Sequence, residues 1–400
     1  MQKKINITIT ALFLAIILGF GAAFWILPDA SRSENENRPL QTLPPITLSS
    51  LLDGSLSGAL TDYFSDQFPL RTGFVGLHGI GEIAQLRGES NGVLYGKNGQ
   101  LAVRRFDAYI SRTERAADTD YYSESHVQNS LKNVAHVRDS LAANGVPLTI
   151  LLAPRTVDVA VSAFDYPSDL SDSLDRTVTD ALDGAQVEQI NLLDTFRQAY
   201  DAGEYVYYRT DHHWTTKGAY TAYAATLTAW GMADEIIPAD AFDVRTVTDF
   251  YGTTYSRAGL YFIAPDELEI WSAKDGSDDR FAVKNGDGTP ITERGFIVES
   301  YLGEKDKYSA FLGEARSILT VTDTVASENG EARPRLLIAK DSFANTMTPF
   351  LARHFDLVMV NITGDKTDLT ALAAEYGCER VLIVCNRENL ITSDCLLRLR

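Results

Sequence analysis

Four runs of almost unbroken apolar residues constrain this 400-residue chain more than anything else in it. They lie in Pro147-Leu148-Thr149-Ile150-Leu151-Leu152-Ala153, Arg335-Leu336-Leu337-Ile338-Ala339, Leu357-Val358-Met359-Val360-Asn361 and Val381-Leu382-Ile383-Val384-Cys385. A strand with one wet face alternates polar and apolar residues, whereas a strand covered on both faces does not need to. Residues 187–193 read as a further strand. Helical stretches lie between these runs: one ends on the cap-like pair Asn144-Gly145, and another starts where Thr216 can cap a helix running to about Trp230. Buried strands separated by helices predict an α/β fold, a parallel sheet covered by helices on both faces. Ligands of such sheets gather at the carboxyl ends of the strands.

The N-terminus has a different character. Lys3 and Lys4 precede an apolar stretch over residues 5–27, and roughly 20 such residues cross a bilayer. The lysines hold that end in the cytoplasm and send the body outward. The stretch is long for a signal peptide, and Pro28-Asp29-Ala30 is a poor cleavage site. An uncleaved membrane anchor over 1–27 is therefore expected, with a cleaved signal and a secreted product as the alternative. Residues 28–50 read as an extracytoplasmic linker, and 51–400 as the α/β domain. Within it, 51–110 forms a helical and hairpin extension, the hairpin turning at Lys97-Asn98-Gly99. Residues 240–330 form an insertion of loops and hairpins over the sheet. The net charge of −18 argues against nucleic acid and anionic headgroups as partners, since both require a basic face. Cys378, Cys385 and Cys395 lack zinc-site spacing. Their odd number forbids complete pairing, and Cys385 reads as a buried strand residue.

Chemistry concentrates in Tyr208-Arg209-Thr210-Asp211-His212-His213-Trp214 and in Lys340-Asp341-Ser342-Phe343-Ala344-Asn345. A carboxylate near an imidazole orients the ring and stabilises its protonated form, and an activated serine completes a hydrolytic triad. In an extended segment residues two apart face the same way. Asp211 and His213 are thus expected to share one site, as orienting acid and general base, with His212 facing away in a supporting position. Ser342 follows a strand and opens a helix, where backbone N–H groups meet an oxyanion. The bland alternative is that Asp341 or Ser342 only caps that helix. Asn345, Arg155, Tyr208, Arg209 and Trp214 are candidates for oxyanion or substrate contact. For Arg155 the alternative is an ion pair with an acid at the sheet edge or on the surface, for Tyr208 and Arg209 a similar structural role, and for Trp214 the core is favoured. Asp-His-His can in principle hold zinc or iron. The other histidines (His78, His126, His136, His354) lie far off in sequence, and neither a metal nor a cofactor is expected.

The Asp-His-His-Trp element resembles the signature of the DHHW family of bacterial exported proteins. These resemble in turn the SGNH-hydrolase-like domain of alginate O-acetylation proteins. Glu36-Asn37-Arg38, Asp66-Gln67-Phe68-Pro69-Leu70-Arg71, Gly96-Lys97-Asn98-Gly99, Ala153-Pro154-Arg155 and Lys340-Asp341-Ser342-Phe343 stand in the family's order. The resemblance implies a flavodoxin-like sheet and a triad of Asp211, His213 and Ser342. It implies an O-acetyltransferase or esterase acting on a cell-surface polysaccharide. Coenzyme A is not expected outside the cell, so the acyl group would come from a membrane-bound acyltransferase. Lys340 stands where the hydrolase block has glycine, and His212 where the alginate group has a small polar residue. The first departure keeps open a non-catalytic glycan-binding or scaffold protein with a degenerate site.

Overall fold

The computed structural model describes residues 2–103, 109–110, 122–164, 169–313, 317–364 and 366–400. It comprises two compact units, residues 1–91 with 255–263, and residues 92–254 with 264–400.

The smaller unit begins with the helix Gln2–Ile26. Its segment Lys3–Ile26 is long and apolar enough to cross a membrane, and none of it is buried within the protein. The polar stretch after it, expected as a linker, is tied down. Arg38 donates to Asp66 at 2.9 and 2.5 Å and to Glu36 at 2.7 Å. Glu36 also pairs with Arg71. The Gln67 amide holds the carbonyls of Ala30 and Gln41 at 3.0 and 2.8 Å. The motifs around residues 36–38 and 66–71 are thus two halves of one ion cluster, which fixes the chain after the helix.

The larger unit is built on an eight-stranded sheet. Its strands are β1 (Leu148–Ala153), β2 (Glu188–Ile190), β3 (Phe281–Asn285), β4 (Pro290–Thr292), β5 (Ile318–Asp323), β6 (Arg335–Lys340), β7 (Asp356–Asn361) and β8 (Arg380–Asn386). They lie in the order β4-β3-β5-β7-β6-β8-β1-β2. From β7 to β2 every neighbour is parallel. The unbroken apolar runs follow from this placement. Leu336 and Ile338 face one core with the helix Thr216–Ala229, while Leu337 and Ala339 face a second core with the helix Glu124–Ala142. Cys378, Cys385 and Cys395 all lie in the second core, with the sulfurs of Cys385 and Cys395 3.9 Å apart.

Two departures from the sequence expectation concern the edges. The segment 240–330 does not simply lie over the sheet, because β3, β4 and β5 extend it with antiparallel pairs. Burial alternates along β5, as an antiparallel strand with one wetter face requires. The rest of the segment includes the ribbon Phe242–Phe250 with Asp266–Ala273. The hairpin of Val93–Tyr95 and Leu101–Val103 belongs to the sheet unit, not to an N-terminal extension. Buried Gln100 explains this, since its amide donates to the Tyr208 carbonyl at 3.0 Å and accepts from Tyr200 at 3.1 Å.

Candidate active site

Residues 206–215 are not extended. Tyr207 and Trp214 form an antiparallel bridge, and the Tyr208 N–H donates to the His213 carbonyl at 3.2 Å, so the segment turns back within a few residues. Asp266 braces the approach from beneath. It accepts the Thr210 N–H at 2.7 Å, the Thr210 hydroxyl at 2.6 Å, the Arg209 N–H at 3.2 Å and the Tyr205 hydroxyl. Asp211 then closes a tight side-chain turn. Its Oδ1 accepts the His213 N–H at 3.0 Å and His213 Nδ1 at 2.5 Å. Its Oδ2 accepts the Thr253 N–H at 2.8 Å and the Thr253 hydroxyl at 3.0 Å. Gly252 presses on this carboxylate so closely that a methyl group there would overlap it. Thr215, one residue before the expected cap, opens the following helix by accepting the Gly218 N–H at 3.2 Å.

The serine comes from the carboxyl end of β6. Asp341 caps the 3-10 turn Ser342–Met347 by accepting the Phe343 N–H at 3.0 Å. Its second oxygen takes the Asn386 N–H at 2.6 Å and the Asn389 amide at 2.8 Å. Asp341 thus joins the ends of β6 and β8, and the capping task leaves the Ser342 hydroxyl uncommitted. That hydroxyl lies 2.6 Å from His213 Nε2. Trp214 sets this distance across 129 residues of sequence. Its buried indole N–H reaches both the Phe343 carbonyl, at 3.1 Å, and the Thr346 hydroxyl, at 2.9 Å, so the histidine loop and the serine turn are pinned together.

The His213 ring is enclosed on both faces. Tyr308 stacks on it at 3.8 Å and 9°, and His212 lies 3.8 Å away at 37°. Two rings at that distance cannot share one face. The Tyr308 hydroxyl continues to the Ser342 carbonyl at 3.2 Å. Burial alone would raise the Asp211 pKa, but the charges of His212 and His213, with hydrogen bonds from His213 and the Thr253 N–H, hold it well below the carboxylate range. For His212, loss of hydration and then the neighbouring His213 bring the pKa down to about 4, although 43% of its side chain meets solvent. Burial lowers the Lys340 ammonium to about 8. It donates to the Asn345 Oδ1 at 2.6 Å.

Several candidates take the structural alternative to a substrate contact. Asn345 turns inward, its amide held between Lys340 and the Phe311 carbonyl at 3.3 Å, where it braces the turn. Arg155 is buried and grips Asp158 at 2.8 and 2.7 Å. Arg209 leans on Asp266 at 3.2 Å. Tyr208 is fully buried edge-on to Tyr308 and Phe250, and Trp214 is core. His212 does not face away: the alternation argument needed an extended strand, and the turn folds this ring over His213. Sequence reasoning missed Tyr308, Gly252, Thr253 and Asp266, none of which carries a local motif. The ligand atoms of Asp211, His212 and His213 lie within 4.8 Å of one another. Those of Asp211 and His213, and the Nδ1 of His212, are already committed to hydrogen bonds with each other, Ser342 and Thr253.

This fold and site resemble those of SGNH hydrolase-like domains. A family model described as the SGNH hydrolase-like domain of the acetyltransferase AlgX matches residues 111–255, which takes in the histidine loop and stops short of Ser342. The protein named probable alginate O-acetylase AlgJ of Pseudomonas putida is 25% identical over 224 residues, 56% of this chain and 52% of that one. The chain spans about half the length of the curated relatives it matches. A DHHW family protein from Eubacterium siraeum superposes with a TM-score of 0.58 at 17% identity, over 77% of this chain and 94% of that one. Bacillus cereus PatB1 with a sulfonyl adduct gives 0.58 and 17%, over 77% and 100%. At this identity the two structures share a fold with the chain. The resemblance read from the motifs is borne out, and the relatives carry the names of O-acetylating enzymes.

Proposed function

We propose that this chain is an extracytoplasmic serine acyl-transfer enzyme, an O-acetyltransferase or acetylesterase of a cell-surface polysaccharide, working through Ser342, His213 and Asp211. The observation that carries the reading is the continuous hydrogen-bonded line from Asp211 Oδ1 through His213 to Ser342 Oγ, with links of 2.5 and 2.6 Å. The Ser342 oxygen attacks the acyl carbonyl while its proton passes to His213 Nε2. The bond to the donor's leaving group breaks, and His213 returns the proton to that group. A sugar hydroxyl then gives its proton to His213 and attacks the acyl-serine; the bond to Ser342 Oγ breaks, and His213 returns the proton to that oxygen. Asp211 keeps the proton of His213 on Nδ1, so Nε2 is free to act as base. The Phe343 N–H is used by Asp341, which leaves the Ser342 N–H, at the start of the turn, to meet the oxyanion.

The strand order supports a flavodoxin-like layout. Begun at the serine strand β6, the parallel part runs β7-β6-β8-β1-β2, which is the order 2-1-3-4-5 with the chain entering at a different strand. The apolar helix Gln2–Ile26 is read as the anchor that holds the domain beside a membrane-bound acyltransferase supplying the acyl group.

The test incubates the full chain in detergent with p-nitrophenyl acetate and maps adducts by peptide mass spectrometry. An acetyl group on the peptide containing Ser342, absent from Ser342→Ala and His213→Ala, is the expected result. Equal labelling of all three proteins would overturn the reading. Gly252→Ala should displace the Asp211 carboxylate and slow acylation about 100-fold, as misplacements near 1 Å do. An unchanged rate, measured by p-nitrophenol release, would show that the carboxylate tolerates displacement.

A further inference from the structure

The hydrogen-bond network fixes the tautomer of His212. The Asp211 carboxylate is ionised and can only accept. Thr253 lies 3.0 Å from its Oδ2, so the Thr253 hydroxyl must donate there. The same hydroxyl oxygen lies 2.7 Å from His212 Nδ1. Its hydrogen being spent, the oxygen can only accept, and Nδ1 must carry the proton. A bare Nδ1 would also set its lone pair 3.6 Å from Asp211 Oδ1. The remaining nitrogen, Nε2, is therefore a lone-pair acceptor. It makes no hydrogen bond among the described residues, and it sits on a ring with 43% of its side chain exposed. That ring lies 3.8 Å from the ring of His213 and 5.9 Å from Phe343, the residue after the nucleophile.

From this geometry we infer that His212 Nε2 receives a hydrogen bond from a hydroxyl of the acyl acceptor, a sugar or polyol, and so positions it for deprotonation by His213. The inference rests on the acyl-transfer reading. The acceptor need not be charged, because a neutral imidazole meets a neutral hydroxyl. Acylation of Ser342 precedes acceptor binding and does not need this contact, so the two half-reactions separate the role from general damage to the site.

The experiment compares the full chain with His212→Phe and His212→Gln. Acylation by p-nitrophenyl acetate is followed by stopped-flow release of p-nitrophenol. Decay of the acetyl-enzyme is followed by mass spectrometry with water, glycerol, chitopentaose or oligomannuronate as acceptor. Loss of one neutral hydrogen bond corresponds to about a tenfold change in rate. Phenylalanine keeps a ring over His213 and loses the acceptor atom. It is expected to slow transfer about tenfold more than acylation, with the loss in the acceptor's KM as well as in kcat. Glutamine restores a carbonyl acceptor and should recover most of the loss. Equal slowing of both steps in His212→Phe, or equal decay with every acceptor, water included, overturns the inference while acylation of the parent preserves the acyl-transfer reading. Failure of the parent itself to acylate overturns both.

Discussion

Asp211→Asn is expected to slow acylation of Ser342 by about 10⁴ while leaving the fold in place, in line with the effect of that change in a serine triad. The reason lies in the two ends of the carboxylate. Each oxygen meets one backbone N–H, Oδ1 that of His213 and Oδ2 that of Thr253. The Thr253 hydroxyl, which also meets His212 Nδ1, adds a second donor at Oδ2, so an asparagine would keep its carbonyl there and turn its NH2 toward His213. An NH2 facing Nδ1 demands a lone pair on that nitrogen, which moves the proton to Nε2. The ring then presents N–H to Ser342 and can no longer take its proton. Stopped-flow p-nitrophenol release reads the loss, and near-ultraviolet circular dichroism checks the packing. A loss below tenfold would mean that the tautomer is set by something other than Asp211. The pH dependence of stability has a definite sign. The folded-state pKa of Asp211 is below its ordinary value of 3.8, so its ionised form stabilises the protein fully above that value. The contribution is lost as the pH falls toward the depressed pKa. Parent and variant should therefore converge in stability only in strong acid.

How much of this was legible in the sequence depended on whether local rules governed each element. The double-faced strands were readable because burial on both sides removes polar residues wherever it occurs, as at Leu336–Ala339 with alternate residues in two cores. Asp211, His213 and Ser342 could be named because their residue types and neighbours limit what they can do. The antiparallel strands β3 and β5 were hidden, since the Thr-rich alternation of Ile318–Asp323 suits an exposed hairpin as well as a sheet edge. His212 was misplaced for a related reason. Residues 207–214 contain aromatic and β-branched side chains that favour strands, but Asp266 and Asp211 supply side-chain acceptors that pull the backbone into a turn. Tyr308 was beyond reach altogether. Its value lies in one stacking contact with a histidine 95 positions away, and no spacing rule encodes such a contact.

The second large effect is expected at Asp266, which touches none of the reacting atoms. This buried carboxylate receives the Thr210 N–H and hydroxyl, the Arg209 N–H and Nε, and the Tyr205 hydroxyl. Asp266→Ala removes the acceptor for all of them at once. Thr210 is fully buried and has few other partners to turn to, while a half-exposed Arg209 can reach water. Leaving the Thr210 N–H without an acceptor, and its hydroxyl with only the Phe250 carbonyl at 3.3 Å, costs about 1–3 kcal/mol per unsatisfied group. The cost should appear locally, because Thr210 adjoins Asp211 and its loop is held by only a few bonds. A loss of about 3 kcal/mol speeds amide exchange roughly 100-fold where opening is local. Hydrogen exchange should therefore accelerate in peptides covering residues 207–215 and remain as in the parent along β6 and β8. Acylation should fall with it, since His213 is carried by the same loop. Asp266→Asn keeps the volume and one acceptor oxygen and should lie between the two. Unchanged exchange over 207–215 in Asp266→Ala would mean that the Tyr207–Trp214 bridge and the Trp214 indole hold the loop unaided, and that the buried carboxylate is dispensable to the geometry at Ser342.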